Sequence, residues 1–156
     1  MKILKAIAIG AVVLFAAMQL YRPERVNPPV DPSRTLSAHV SVSPEAASIL
    51  DRACRDCHSN ETRWPWYSHV APVSWWLADH VGEGREHLNL SDWAKYDARR
   101  EDRKLDEICE QVTKKQMPIR GYPFMHPQAR LTDQDVRTLC AWTEEARRSL
   151  SSGRNP

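Results

Sequence analysis

The chain has 156 residues, with 22 Lys or Arg against 20 Asp or Glu and a formal net charge of +2. This length is typical of one domain with short appendages. The near balance of charge argues against nucleic acid as a partner, because proteins that bind nucleic acid carry a strongly basic face.

Residues 1–21, MKILKAIAIGAVVLFAAMQLY, place Lys2 and Lys5 before a long apolar run. This pattern is typical of a membrane anchor or an export signal. The uncharged run is shorter than the roughly 20 residues of a spanning helix, but Ile3 to Tyr21 would suffice if Lys5 extends its side chain to the surface. No A-x-A-like cleavage site follows, so we expect an uncleaved, single-pass transmembrane helix rather than a cleaved signal peptide.

Residues 22–43 form a predicted proline-rich linker, with four prolines in RPERVNPPVDP. Such a segment is extended and semi-rigid. It would hold a domain away from a membrane surface, although a disordered lead-in without a role has the same composition.

Residues 44–150 are predicted to form an all-α domain, followed by a tail at 151–156. Ser43 before Pro44 is a good helix start, and apolar residues at helical spacing carry this first helix into Cys54.

Three more helices follow in the prediction. A short one spans Val73 to Val81 and is ended by the two glycines after it. Another is capped by Ser91 and stopped by Pro118, and the last is capped by Thr132 and ends before Gly153. No segment shows the sustained alternation of a strand.

Cys54, Cys57 and His58 form the pattern C-x-x-C-H, which is typical of haem c attachment. Two thiols must add to the two vinyl groups on one edge of a porphyrin. Cysteines three apart at a helix end lie on one side, and the next residue then lies beneath the ring, where its imidazole reaches the iron. When it follows an export or anchor segment, this motif is a strong indication of haem c, since haem c is attached outside the cytoplasm.

Other readings of the two cysteines are weaker. A thioredoxin-like motif needs a β-α-β context, and a structural zinc site needs four ligands, usually from a second close pair. Cys109 and Cys140 are far away in the sequence and from each other. A disulfide between Cys54 and Cys57 would close a very tight loop.

The runs CRDCHSNETRWPWYSHVAPVSWWLADHVGEGREHLNLSDW and QMPIRGYPFMHPQARLTDQDV resemble the bacterial haem-binding domain family of small, membrane-anchored c-type cytochromes. The likeness covers about Ser43 to Trp142, and the anchor and linker also look like those of the family. The resemblance implies a cytochrome-c-like helical fold and haem binding. It implies no particular pathway.

Met117 is the favoured sixth iron ligand. It lies in the irregular stretch before the last helix, which could fold over the haem as the methionine loop does in the cytochromes c that the order of elements resembles. Thioether sulfur favours ferrous iron and raises the potential. Met125 and His126 are the near competitors, followed by three histidines closer to the motif, His69, His80 and His87. Packing at a helix end is the alternative role for Met117.

Aromatic residues follow the motif closely, at Trp64, Trp66, Tyr67, Trp75 and Trp76. Indole rings could cover the apolar haem faces, or simply pack a small core. Arg63 could pair with a haem propionate or be solvated. Lys114, Lys115 and Arg120 could form a docking rim for an acidic redox partner, although scattered surface cations are common.

Cys109 and Cys140 lie on the apolar faces of two different predicted helices. In an oxidising compartment they could form a disulfide. The alternative is two buried thiols that act as small apolar residues.

Together these features predict a c-type cytochrome with one covalently attached haem, a one-electron carrier rather than an enzyme. We expect it at the outer face of the cytoplasmic membrane, with the haem domain in the periplasm and an unknown redox partner. An open sixth iron position would instead make it a small-ligand sensor or a peroxidase-like protein.

Overall fold

A computed structural model describes residues 1–152, in which all regular secondary structure is helical and no strand is present. This confirms the all-α prediction. The α-helices are α1 (Lys2–Met18), α2 (Leu36–His39), α3 (Pro44–Ala53), α4 (Arg55–His58), α5 (Val73–His87), α6 (Ala98–Thr113), α7 (Tyr122–Met125) and α8 (Asp133–Ser152). Short 3₁₀ turns lie at Pro32–Arg34, Trp66–His69, Trp93–Lys95 and Pro127–Ala129. Of the predicted tail, residues 151 and 152 belong to α8, and the rest lies outside the described residues.

One apolar core joins α2, α3, α6 and α8. The apolar faces of these amphipathic helices supply it because each buries the residues that recur at helical spacing. Its members are Leu36, Val40, Ala46, Ile49, Leu50, Trp93, Leu105, Ile108, Val112, Leu139, Trp142 and Ala146. Leu36 and Val40 precede residue 44, so the end of the predicted linker contributes to the domain core.

Helix α3 begins as the sequence predicts. The Ser43 hydroxyl accepts a hydrogen bond from the Ala46 N–H at 3.2 Å, and Pro44 occupies the first helical position. The cap satisfies a donor that the helix itself leaves unpaired. The helix ends at Cys54, which places the C-x-x-C-H motif at its carboxyl end.

Helix α8 also begins where predicted. The Thr132 hydroxyl accepts from the Asp135 N–H at 3.1 Å, and the Asp135 carboxylate accepts from the Thr132 N–H at 2.8 Å. This reciprocal pairing is a capping-box arrangement, and α8 then continues to Ser152.

Helix α6 starts later than predicted. Its cap is Asp97, which accepts from the Arg100 N–H at 2.8 Å. Ser91, the predicted cap, lies in the preceding loop, where its hydroxyl accepts from the Asn60 N–H at 3.1 Å. The carboxyl end of α6 comes before the predicted proline stop and is followed by Lys115 in the left-handed conformation, with φ of 55°.

The predicted linker, 22–43, lies against the domain. The Arg25 guanidinium donates to the Ser68 carbonyl at 2.8 Å, and the Asn27 side-chain amide donates to the Thr62 carbonyl at 2.9 Å. These contacts make the segment part of the domain surface rather than a free spacer.

Helix α1 has no buried residue. Among residues 1–152, no helix is both long enough and apolar enough to cross a membrane. The transmembrane interpretation of residues 1–21 is therefore not supported by the structure.

Cys109 and Cys140 form a disulfide that joins α6 to α8, with their Cα atoms 4.8 Å apart. This confirms the predicted pairing. The bridge links the two long helices that supply much of the core.

Replacing Cys109 and Cys140 together by Ala should lower the free energy of unfolding by about 3 to 4 kcal/mol, because the bridge closes a long loop. Urea denaturation of the variant and the wild type measures this difference. Peptide mapping without reductant should recover the two cysteines as one linked species. Recovery of both as alkylated thiols would contradict the pairing.

Candidate haem-attachment site

The C-x-x-C-H motif folds as the carboxyl end of α3 followed by the single turn α4. The N–H groups of Cys57 and His58 both donate to the Cys54 carbonyl, at 3.2 and 2.9 Å. This turn brings Cys54, Cys57 and His58 together in one compact unit, as the spacing predicted.

His58 is fixed through one ring nitrogen. Its Nδ1 lies 2.8 Å from the Gly84 carbonyl oxygen and 3.1 Å from the Leu88 carbonyl oxygen, both at the end of α5. Carbonyl oxygens only accept, so Nδ1 carries the proton and donates to them. Nε2 is left with its lone pair, which is the form of imidazole that ligates a metal.

Burial also keeps this imidazole neutral. Loss of contact with water lowers the pKa of His58, and the two carbonyl hydrogen bonds offset part of that effect. A positively charged imidazole cannot ligate iron, so a lowered pKa keeps the ligand form present over a wider pH range.

Gly84 lets α5 lie directly on the motif. A Cβ atom built at this position would be 2.5 Å from the Cys57 carbonyl oxygen. The sequence predicted that the glycines end this helix near Val81, which is wrong, because α5 continues to His87. Here glycine serves close approach of two backbones rather than helix termination.

Cys54 and Cys57 are both partly buried free thiols. Burial raises the pKa of Cys54 to about 12 and that of Cys57 to about 11. The thiols are therefore uncharged at neutral pH. Two neutral thiols beside a histidine with a free Nε2 fit the donor set that haem c needs, one thioether for each vinyl group and one axial nitrogen.

Asp56, inside the motif, forms hydrogen bonds to two other parts of the chain. Its carboxylate accepts from the Tyr122 hydroxyl at 2.6 Å and from the Arg63 Nε at 3.0 Å. Arg63 also pairs with Asp51 at 3.4 Å. Arg63, considered from the sequence as a propionate partner, is thus used to anchor the motif.

Tyr122 begins a cluster that the sequence did not reveal. Its ring stacks on His126, with ring centroids 4.3 Å apart, and the Tyr67 hydroxyl lies 2.6 Å from His126 Nε2. Burial and the nearby Asp56 charge raise the pKa values of Tyr67 and Tyr122. This irregular stretch, which has one tyrosine and three prolines between residues 117 and 128, gave no periodic signal from which the contact could be predicted.

Met117 is half-buried in the segment between α6 and α7. Its N–H donates to the Gln111 carbonyl at 3.3 Å. The hydrogen bond that ties this region to the motif comes from Tyr122, in α7. The role of Met117 as an iron ligand stays a prediction. Met125 is 46% exposed, and His126 is held by two tyrosines.

The aromatic residues after the motif do not form a buried cluster. Trp66 is 74% exposed and Trp76 is 48% exposed. The Trp64 indole donates to the Asn27 side chain at 3.3 Å, and the Trp75 indole donates to the Tyr21 carbonyl at 2.9 Å. The interpretation of these rings as core residues is therefore wrong for Trp66 and Trp76, and their predicted contact with haem stays a prediction.

Arg85 connects the site to its surroundings. Its guanidinium donates to the Ser59 carbonyl and to the Thr62 hydroxyl, both at 2.8 Å. It also donates to the Val26 carbonyl and the Asn27 side chain at 2.8 Å. One side chain of α5 thus holds the residue after His58, the following loop and the N-terminal segment together.

A helical domain that presents two neutral thiols and a partly buried imidazole with a free nitrogen defines a candidate haem-binding protein. The sequence model of the haem-binding domain family matches residues 13–145. The chain belongs to this family, as the resemblance of its motifs predicted. No curated protein and no solved structure matches the chain significantly.

Gly84→Ala should destabilise the fold and reduce haem loading, because its methyl group must displace the Cys57 backbone. We expect a loss of about 1 to 3 kcal/mol in the free energy of unfolding. The matched control is Gly82→Ala on the same helix, where a Cβ atom meets nothing within 4 Å. That variant should be unchanged, or more stable by up to about 1 kcal/mol. Equal unfolding curves and haem yields for the two variants would contradict the proposed packing.

Proposed function

We propose that the protein is a c-type cytochrome that binds one haem covalently and carries single electrons. Cys54 and Cys57 would form the two thioethers, and His58 Nε2 would ligate the iron. The observation that carries this proposal is the pair of hydrogen bonds from His58 Nδ1 to Gly84 and Leu88, which leaves Nε2 free beside two thiols. The haem iron supplies the one-electron redox chemistry when bound.

The chain contributes position and environment to this chemistry. The α5 carbonyls orient the imidazole and increase its donor strength. Cys54, Cys57 and His58 are each partly buried. This would limit the contact of the motif with water and so reduce the solvent reorganisation that accompanies electron transfer. Asp56 ties the motif to α7 through Tyr122.

Met117 remains our proposed sixth ligand. It lies just before α7, whose Tyr122 is bonded to the motif, so the segment that carries it is held next to the site. The supporting argument is chemical, since thioether sulfur stabilises the ferrous state and suits an electron carrier.

A second candidate function is the binding of a small ligand at an open sixth position, as in a sensor or a peroxidase-like protein. The observation that favours it is the pair formed by Tyr67 and His126, whose polar atoms are 2.6 Å apart and close to the motif. Such groups could donate to, or accept from, an iron-bound molecule.

We further propose that the domain works at the outer face of the cytoplasmic membrane, in the periplasm, with α1 associated with the bilayer. Support comes from the exposed apolar side chains along α1 and from the two lysines at its start. Exposed apolar surface of this extent marks an interaction site. The Cys109–Cys140 disulfide suits an oxidising compartment. The proposed partner is a redox protein.

Covalent attachment can be tested by acid–acetone extraction of the denatured protein. The wild type should keep its haem, because thioether bonds survive unfolding. Cys54→Ala with Cys57→Ala should lose the haem, whereas the matched control, Cys109→Ala with Cys140→Ala, should keep it. Free extraction of haem from the wild type would refute the c-type proposal.

The sixth ligand can be tested spectroscopically. If Met117 ligates the iron, the ferric protein should show the weak near-infrared band of methionine ligation. Met117→Ala should abolish that band, admit carbon monoxide to the ferrous haem and lower the reduction potential. Met125→Ala, which changes the more exposed neighbour, is the matched control and should behave like the wild type.

The same experiment separates the two candidate functions. Carbon monoxide binding by the wild type, unchanged in Met117→Ala, would show that the sixth position is open and would favour the ligand-binding function. If the wild type lacks the near-infrared band and carbon monoxide binds only in His126→Ala, the ligand would instead be His126, in the cluster with Tyr67 and Tyr122.

A further inference from the structure

The carboxyl end of α1 is fixed to the start of α5. The Gln19 side chain accepts from the Ala71 N–H at 2.9 Å and donates to the Ala71 carbonyl at 3.3 Å. Two residues later, the Tyr21 carbonyl accepts from the Trp75 indole at 2.9 Å, and the two rings meet edge to face. These paired contacts set the point at which α1 leaves the domain.

The next residues keep that attachment short. Arg25 donates to the Ser68 carbonyl, and Arg85 donates to the Val26 carbonyl, each at 2.8 Å. No long flexible segment therefore separates α1 from the domain, and a surface that receives α1 must also approach residues 68–76.

The surface around this exit point is apolar. We define the exit face as Leu20, Tyr21, Val73 and Trp76, which are 86%, 68%, 43% and 48% exposed. Val73 and Trp76 lie three apart in the first turn of α5, so they share one side of the helix. The exit face thus continues the apolar surface of α1 onto the domain.

The polarity of α5 changes within two turns of the exit. Beyond Trp76, the exposed side chains of α5 are Asp79, Glu83, Glu86 and His87. In the segment that follows α1, Arg22 comes directly after Tyr21. An apolar and aromatic zone bounded by charges is the order of residues found where a protein passes from a bilayer interface into water.

We propose that the exit face lies in the interfacial layer of a phospholipid bilayer, with α1 associated with the same bilayer and the haem domain resting on the membrane surface. This inference rests on the proposed membrane location and specifies its geometry. The 17 residues of α1 make roughly 26 Å of helix, less than the roughly 30 Å of a hydrocarbon core. Because α1 is too short to cross the core, the aromatic residues that follow it would lie near the membrane surface.

The position of the exit face can be tested by hydroxyl-radical footprinting with mass spectrometry. The full-length protein is labelled before and after addition of vesicles of phosphatidylcholine and phosphatidylglycerol. Oxidation of Trp76 and Val73 should fall several-fold on the vesicles. Phe124 in α7, which is 82% exposed, is the internal control, and its oxidation should not change.

Matched variants give a second measurement. Val73→Glu with Trp76→Glu should weaken vesicle binding several-fold in a sedimentation assay, whereas Phe124→Glu should bind like the wild type. If the wild type sediments with vesicles but Trp76 is oxidised as in their absence, the exit face is not at the membrane and this inference is wrong. If the wild type does not sediment with vesicles, the proposed membrane location fails first, and the inference falls with it.

Discussion

The rest of the site depends on the direct contact between α4 and the carboxyl end of α5. Gly84 provides the space for it, since any side chain at that position would meet the Cys57 carbonyl oxygen at 2.5 Å. Because the backbones are so close, the Gly84 and Leu88 carbonyls reach His58 Nδ1. The Gly84 carbonyl also accepts from the Leu88 N–H at 2.9 Å, which closes the last turn of α5. The last turn of α5 therefore both ends the helix and orients the imidazole of His58.

Two polar side chains extend this contact to the irregular parts of the chain. Arg85 draws the N-terminal segment and the loop after the motif onto α5. Asp56 draws in α7 through Tyr122 and the following loop through Arg63. The main core lies among α2, α3, α6 and α8, and Cys54 and Leu88 pack against it. Hydrogen bonds and ion pairs add to this packing in the region around the motif. The Cys109–Cys140 disulfide joins α6 to α8 and does not depend on these hydrogen bonds and ion pairs.

Local signals predicted much of this arrangement. The caps at Ser43 and Thr132 each depend on a short pattern with one dominant physical meaning. The disulfide was expected because both cysteines lie on the apolar faces of their predicted helices, and haem attachment by the C-x-x-C-H motif stays a prediction. The predicted end of α5 was wrong because glycine can either end a helix or allow another backbone to come close. Only the short distance to Cys57 shows that Gly84 serves the second purpose. The cluster around Tyr122 depends on contacts between segments distant in the sequence, which no local pattern encodes.

The most direct test is NMR spectroscopy of the ferrous, haem-loaded protein labelled with ¹⁵N-histidine. One imidazole should show the large ring-current shift of an axial ligand. Its Nδ1 proton should exchange slowly with water and show nuclear Overhauser contacts to Gly84 and Leu88, which assigns it to His58. A freely exchanging Nδ1 proton on the axial imidazole, or an axial imidazole without contacts to these residues, would contradict the proposed role of α5.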